Sequence, residues 1–155
     1  MLINVSEYTA PSKMTPTLYG RWQTRLLLFA SVGAIATLFF SLGIAPTGTA
    51  PYFAVLFWLC SFGFAWDILY TYIQKWRWDR DWPAVFQLLA GLWEALFIVF
   101  IINVLGISLP GIGQTLDLGV FVFHYSVVWL SIFVASQSLM RIFFPRWRFR
   151  GGKFL

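Results

Sequence analysis

The sequence predicts an all-α polytopic membrane protein, four transmembrane helices in an antiparallel bundle. Four apolar runs, at 26–44, 53–73, 83–105 and 118–140, each approach the ~20 residues that cross a ~30 Å hydrocarbon core. Charged residues are 11% of the chain, where a soluble domain carries about 25%, and 59% of it is apolar, with a mean hydropathy of +0.74. All eleven Lys and Arg fall outside the runs and, once the runs are threaded through a bilayer, on one side of it. By the positive-inside rule both termini then face the cytoplasm.

At 155 residues the chain holds one membrane domain, 18–144, between an arm at 1–17 and a tail at 145–155. The arm mixes Ser, Thr, Pro and Lys without a period, so a flexible cytoplasmic segment is expected. The first run has some 25 residues before it and is longer than a signal-peptide core, so it is expected to remain as a membrane helix. Tyr19 and Trp22 supply interfacial rings at its entrance, and Arg21 and Arg25 read as anchors of the helix end. The Pro- and Gly-rich stretch 45–51 breaks the helix and joins the first two spans as a hairpin. Cys60 stands alone in the second run, which excludes an internal disulfide.

The connection 74–83 alternates Trp76, Trp78 and Trp82 with Lys75, Arg77, Asp79, Arg80 and Asp81, a composition suited to the headgroup layer. Pro83 is expected in the first turn of the third span. The connection 106–117 carries Gly106, Pro110, Gly111 and Gly113 and no Lys or Arg. After the fourth span the tail sets Phe143, Phe144, Trp147 and Phe149 among Arg146, Arg148 and Arg150. With the positive charge confined to one membrane face, anionic lipid or the acidic surface of a membrane complex or peripheral protein is the expected partner, and nucleic acid is not. The docking candidates are Arg146, Trp147, Arg148 and Arg150 in the tail and Trp76, Arg77, Trp78 and Arg80 in the connection.

Asp67, Glu94 and His124 are ionisable groups inside the runs, where such side chains normally face the bundle interior. At ~1.5 Å per residue they lie about 9, 16 and 21 Å from the inner boundary, a ladder whose steps suit a water-bridged chain. Helical spacing puts Asp67 on the face of Gly63 and Cys60, and Glu94 on that of Gly91 and Gln87. The same spacing aligns His124 with Val128, Ser131, Ala135 and Ser138, and in the first span Ala30, Ala34, Thr37 and Ser41. Three readings stay open: a proton or ion relay; ligation of chlorophyll or another pigment by Glu94 and His124; and pairing with one another, Gln87 or Ser131 that merely sets helix order. One histidine does not make a zinc site, and no nucleophile, base and orienting group occur together, so an enzyme is not expected.

The N-terminal Tyr8-Thr9-Ala10-Pro11-Ser12-Lys13, followed by Tyr19-Gly20-Arg21-Trp22-Gln23-Thr24-Arg25-Leu26, resembles a group of small integral membrane proteins of cyanobacterial thylakoids without an assigned activity. The resemblance covers about the first third of the chain and implies a thylakoid location beside photosynthetic or respiratory complexes. The Glu-x-x-Asn-x-Arg chlorophyll-binding pattern of light-harvesting-like helices is absent from the sequence. The function expected is that of an accessory, assembly or scaffold protein of a thylakoid complex. A small transporter or proton-conducting unit built on Asp67, Glu94 and His124 is the alternative, and the lack of a central Pro in any run favours the first.

The orientation is open to a direct check. In a Cys60→Ser background, a cysteine at Gly48 should react with a membrane-impermeant reagent only from the side opposite to tags at residue 2 and after Leu155. Labelling of all three positions from one side would refute the topology.

Overall fold

Residues 16–43, 50–78, 82–147 and 150–153 are described by the computed structural model, and they contain no strand. Four helices among them, α1 (Leu18–Ser41), α2 (Tyr52–Lys75), α3 (Ala84–Val104) and α4 (Leu118–Phe143), are long and apolar enough to cross a membrane. The molecule is a four-span, all-helical membrane protein. Residues 1–15, most of the arm, and 44–49, most of the first turn, lie outside the described residues.

Local chemistry sets the helix starts. The Thr17 hydroxyl accepts from the Gly20 amide at 3.1 Å and the Asp117 carboxylate from the Val120 amide at 2.9 Å, each satisfying a first-turn donor. Pro51 and Pro83 occupy the capping positions of α2 and α3, so Pro83 stands one residue before the helix rather than in its first turn. Helix α1 starts at Leu18, well before the apolar run at 26. Hydropathy marks the lipid-compatible part of a helix, whereas hydrogen bonding carries the helix on as long as its polar side chains find partners.

Two helices contain a π turn, Phe29–Gly33 in α1 and Phe100–Val104 in α3. The extra residue advances the buried face. Gly20 and Leu28 are buried before the turn in α1, and Gly33, Thr37 and Phe40 after it. Of the stripe Ala30, Ala34, Thr37, Ser41, the inner two belong to the contact face, Thr37 buried and Ala34 packed against the core, while Ala30 and Ser41 point outward.

Each helix packs against the next, and α4 closes the ring on α1, as short connections between antiparallel neighbours require. At the end away from the basic segments, Val55, Leu59, Ile98, Ile102 and Phe121 form one apolar cluster. The α3–α4 connection folds into it: Leu109, Ile112 and Leu116 are buried. Asn103 clamps the connection through both amide atoms, donating to the Leu116 carbonyl at 3.0 Å and accepting from its amide at 2.9 Å. A second cluster, with Leu28, Leu56, Val128, Ile132 and Met140, joins α1, α2 and α4.

At the basic end the tail turns back onto α1. The Thr17 amide and hydroxyl both donate to the Gly151 carbonyl, at 2.8 and 3.0 Å. The Thr24 hydroxyl donates to the Gly152 carbonyl at 3.2 Å, and the Trp147 indole donates to Thr24 Oγ1 at 2.9 Å. Gly151 and Gly152 adopt φ of 65° and 84°, a region open to glycine at little cost, and Gly20 offers no Cβ to block them. A methyl group at position 20 would collide with the Gly151 carbonyl. Gly20→Ala is accordingly expected to leave the helix content unchanged and to expose the tail, measured as faster limited proteolysis at Lys153. Wild-type cleavage kinetics in that variant would show that the staple does not hold.

Candidate functional site

Arg25, Asp67 and Glu94 meet inside the bundle, one from each of the first three helices. Arg25 Nε donates to Asp67 Oδ2 at 2.8 Å and Nη2 to Asp67 Oδ1 at 3.0 Å. Nη1 donates to Glu94 Oε2 and Nη2 to Glu94 Oε1, both at 2.9 Å. Both carboxylates are thus held bidentately, and four of the five guanidinium N–H groups are used. The side chains are 12% exposed for Arg25, 5% for Asp67 and 8% for Glu94, a level of enclosure at which a charge must be paired. Glu94 is ten residues from the start of α3, about 15 Å along its axis at ~1.5 Å per residue.

Glycines make the geometry possible. The face of α2 that presents Asp67 also carries Gly63, and a Cβ there would run into the Arg25 guanidinium. On α3, Gly91 leaves room for the Trp129 indole of α4, and its carbonyl accepts from the Tyr125 hydroxyl at 2.6 Å. The Tyr70 hydroxyl reaches Glu94 Oε1 at 3.4 Å. All four helices therefore meet in this layer.

The sequence places Asp67 and Glu94 on interior faces, and there they lie. It reads Arg25 as an interfacial anchor, whereas the side chain turns inward and becomes their shared partner. The residue just precedes the apolar run, where an arginine that snorkels outward and one that reaches inward look alike. The carboxylate hydrogen bonds of Asp67 and Glu94 run to Arg25 and Tyr70. His124 sits in another layer, 1% exposed, its Nε2 3.1 Å from Thr37 Oγ1. The rings of Phe40 and Tyr52 pack on it with centroids 4.9 Å away. Glu94 is bonded to Arg25 and His124 to Thr37, and among the described residues no three His, Cys, Asp or Glu side chains cluster to hold a metal.

Gln87 is drawn into a different network from the one anticipated. Its Nε2 donates to Ser136 Oγ at 3.0 Å, and its Oε1 accepts from Gln137 Nε2 at 3.1 Å. Ser131 takes no part: its hydroxyl donates to the Val127 carbonyl of its own helix at 2.7 Å. The buried face of α4 runs through His124, Val128, Ile132 and Ala135, one step around from Ser131 and Ser138.

A cavity of about 280 Å³ descends from the basic end to the charged layer. Its mouth is framed by Arg21, Trp82, Gln137, Arg141 and Trp147, and its deeper wall includes Phe29, Gly91, Trp129 and Ile132 beside Asp67 and Glu94. Arg21 stacks over Trp82, 4.4 Å from the ring centroid, and donates from Nη2 to Gln74 Oε1 at 2.8 Å. Its Nε is buried and has no hydrogen-bond partner among the described residues.

The docking candidates divide. Trp147 is committed to Thr24, and the described residues of the tail pack onto the bundle, because its two glycines permit the return onto Gly20. Arg146 and Arg150 remain exposed. Trp76 and Trp78 are 77% and 95% exposed, and the Arg77 guanidinium lies 4.9 Å from the Phe86 ring centroid. Arg80 and Arg148 lie outside the described residues. Comparison with known families, with curated proteins and with solved structures returns no match.

Removing the guanidinium should be more damaging than removing the whole network. Arg25→Met leaves two buried carboxylates facing each other and is expected to cost about 3–5 kcal/mol, while Arg25→Met combined with Asp67→Leu and Glu94→Leu should recover most of that loss. Melting in detergent measures both. A single variant as stable as wild type would mean that the ion cluster does not hold the bundle.

Proposed function

We propose that the chain is a non-enzymatic accessory, assembly or scaffold protein of a membrane complex, with its basic aromatic end in the cytoplasm as the docking face. The observation that carries this reading is the division of charge at that end. The intramembrane acids are locked by Arg25 with bidentate geometry, while Trp76, Trp78, Arg146 and Arg150 stand exposed at the ends of α2 and α4. Ile142 and Phe143, both 70% exposed, adjoin them. Exposed tryptophan and arginine together form a surface that binds headgroups and acidic protein surfaces. The eleven Lys and Arg on one side support the cytoplasmic orientation. The resemblance of residues 8–26 makes a thylakoid membrane the proposed location.

The alternative, a transporter or proton-conducting unit, is favoured by one observation: the cavity reaches Asp67 and Glu94 from the basic end. Against it, Leu59, Ile98 and Ile102, at 2%, 0% and 0% exposure, fill the bundle core, and His124 is caged by Phe40 and Tyr52. Proteoliposomes should show no proton flux above the lipid background.

The docking surface is tested by Trp76→Ala and Trp78→Ala combined with Arg146→Gln and Arg150→Gln. These side chains lie outside the packed interior, so the melting temperature should stay within about 2 °C of wild type, as surface substitutions usually do. Proteins that co-purify in mild detergent should be lost. An unchanged set of co-purifying proteins would remove the docking role.

A further inference from the structure

The cavity at the basic end has a charge balance and an unfilled donor that the docking reading does not use. Among the described residues five ionised groups line it, Arg21, Arg25, Arg141, Asp67 and Glu94, with one positive charge in excess. Each of the four oxygens of these two carboxylates accepts from Arg25, which offsets their attraction for a cation. The two remaining arginines are not neutralised in this way. Arg21 gives Nη2 to a neutral glutamine and keeps a buried Nε–H without an acceptor among the described residues. Arg141 likewise gives Nη2 to the neutral Gln137 carbonyl at 2.7 Å. A buried guanidinium N–H without an acceptor costs free energy that an anion would recover.

The surroundings select the kind of anion. Arg21 is one helical turn nearer the end of α1 than Arg25, and Arg141 lies in the last turn of α4, so the free donors sit at headgroup depth. Below and beside them Leu28, Phe29, Trp129 and Ile132 supply an apolar wall, next to the polar Gln87 and Ser136 and the paired Asp67 and Glu94. The volume of about 280 Å³ lies at the lower edge of the ~300–1,000 Å³ of small-molecule sites, enough for a headgroup and the beginning of an acyl chain. We propose that this cavity is a specific binding site for one anionic phospholipid, whose phosphate is held by Arg21 and Arg141 while its apolar part lies against Phe29, Trp129 and Ile132. The site is distinct from the exposed docking face and does not depend on it.

The full-length protein, delipidated in a neutral detergent, provides the test. Its melting is followed while phosphatidylglycerol, phosphatidylcholine or glycerol phosphate is added at fixed ionic strength, and native mass spectrometry counts retained lipid. Phosphatidylglycerol should raise the melting temperature and be retained as a single molecule, and the other two should not act at the same concentration. Arg21→Gln and Arg141→Gln should each weaken half-saturation about tenfold, the loss expected for one charge-assisted contact. Arg141 is exposed and outside the packed layer, so its variant decides the matter should Arg21→Gln fail to fold. Equal stabilisation by phosphatidylcholine, or an undiminished response in Arg141→Gln, would overturn the site. Glycerol phosphate acting as strongly as the lipid would overturn the lipid as its occupant.

Discussion

One guanidinium, that of Arg25, answers two carboxylates inside the bundle, and the relative placement of three helices depends on it. Moving a charged group out of water costs several kcal/mol even after relaxation, while a pair at ~4 Å recovers about 4 kcal/mol at an effective dielectric constant of 20. The margin is small, so the arrangement persists only because the geometry is close to ideal and four N–H donors are used. Such a cluster specifies more than it stabilises. A slip of one residue along any of the three helices swings its side chain by about 100° and strands a charge, whereas the apolar contacts around it would tolerate repacking. Gly63 belongs to the same constraint, because the guanidinium occupies the space a side chain would fill.

Around that layer the two ends of the bundle are finished in different ways. Away from the basic segments the chain closes the end with its own backbone, using three buried aliphatic side chains and the two-point clamp of Asn103 on Leu116. At the basic end closure is partial. The Trp147 indole and the Gly151–Gly152 turn cover the start of α1, yet a cavity persists between them and the ion cluster. The asymmetry follows from composition. An apolar connection buries itself against helix ends, whereas the basic segments must keep most of their charges in water or among headgroups.

The four spans were legible because apolar runs of this length have no other stable destination, and the interior positions of Asp67 and Glu94 were legible because lipid penalises the alternative. What escaped did so for identifiable reasons. Arg25 lies at the margin of a run, where hydropathy sees only the boundary and not the direction of a long side chain. The contact face of α1 was read only in part, Ala34 and Thr37 but not Gly20, Leu28 and Gly33, because the π turn at Phe29–Gly33 inserts one residue into a pattern that periodicity takes as continuous. Ser131 was named on the line of His124, while Ser136, which lies on the buried face and bonds Gln87, was not. The return of the tail was hidden in a contact between residues more than a hundred positions apart, which no local pattern encodes, although paired glycines after an aromatic stretch and a glycine at position 20 were visible as its components.

The distribution of the three charges among successive helices also bears on how the chain enters a membrane during synthesis. An arginine or an aspartate in the middle of a span costs roughly 2.5–3.5 kcal/mol on insertion scales. Arg25 and Asp67 belong to the first hairpin and face each other across it, so this hairpin can leave the insertion machinery with its two buried charges paired. Glu94 arrives later, on the third helix, and finds a guanidinium with donors still unoccupied. Each stage of biogenesis is thus left with at most one uncompensated intramembrane charge, and the order of the helices along the chain is itself part of what makes a buried ion cluster attainable.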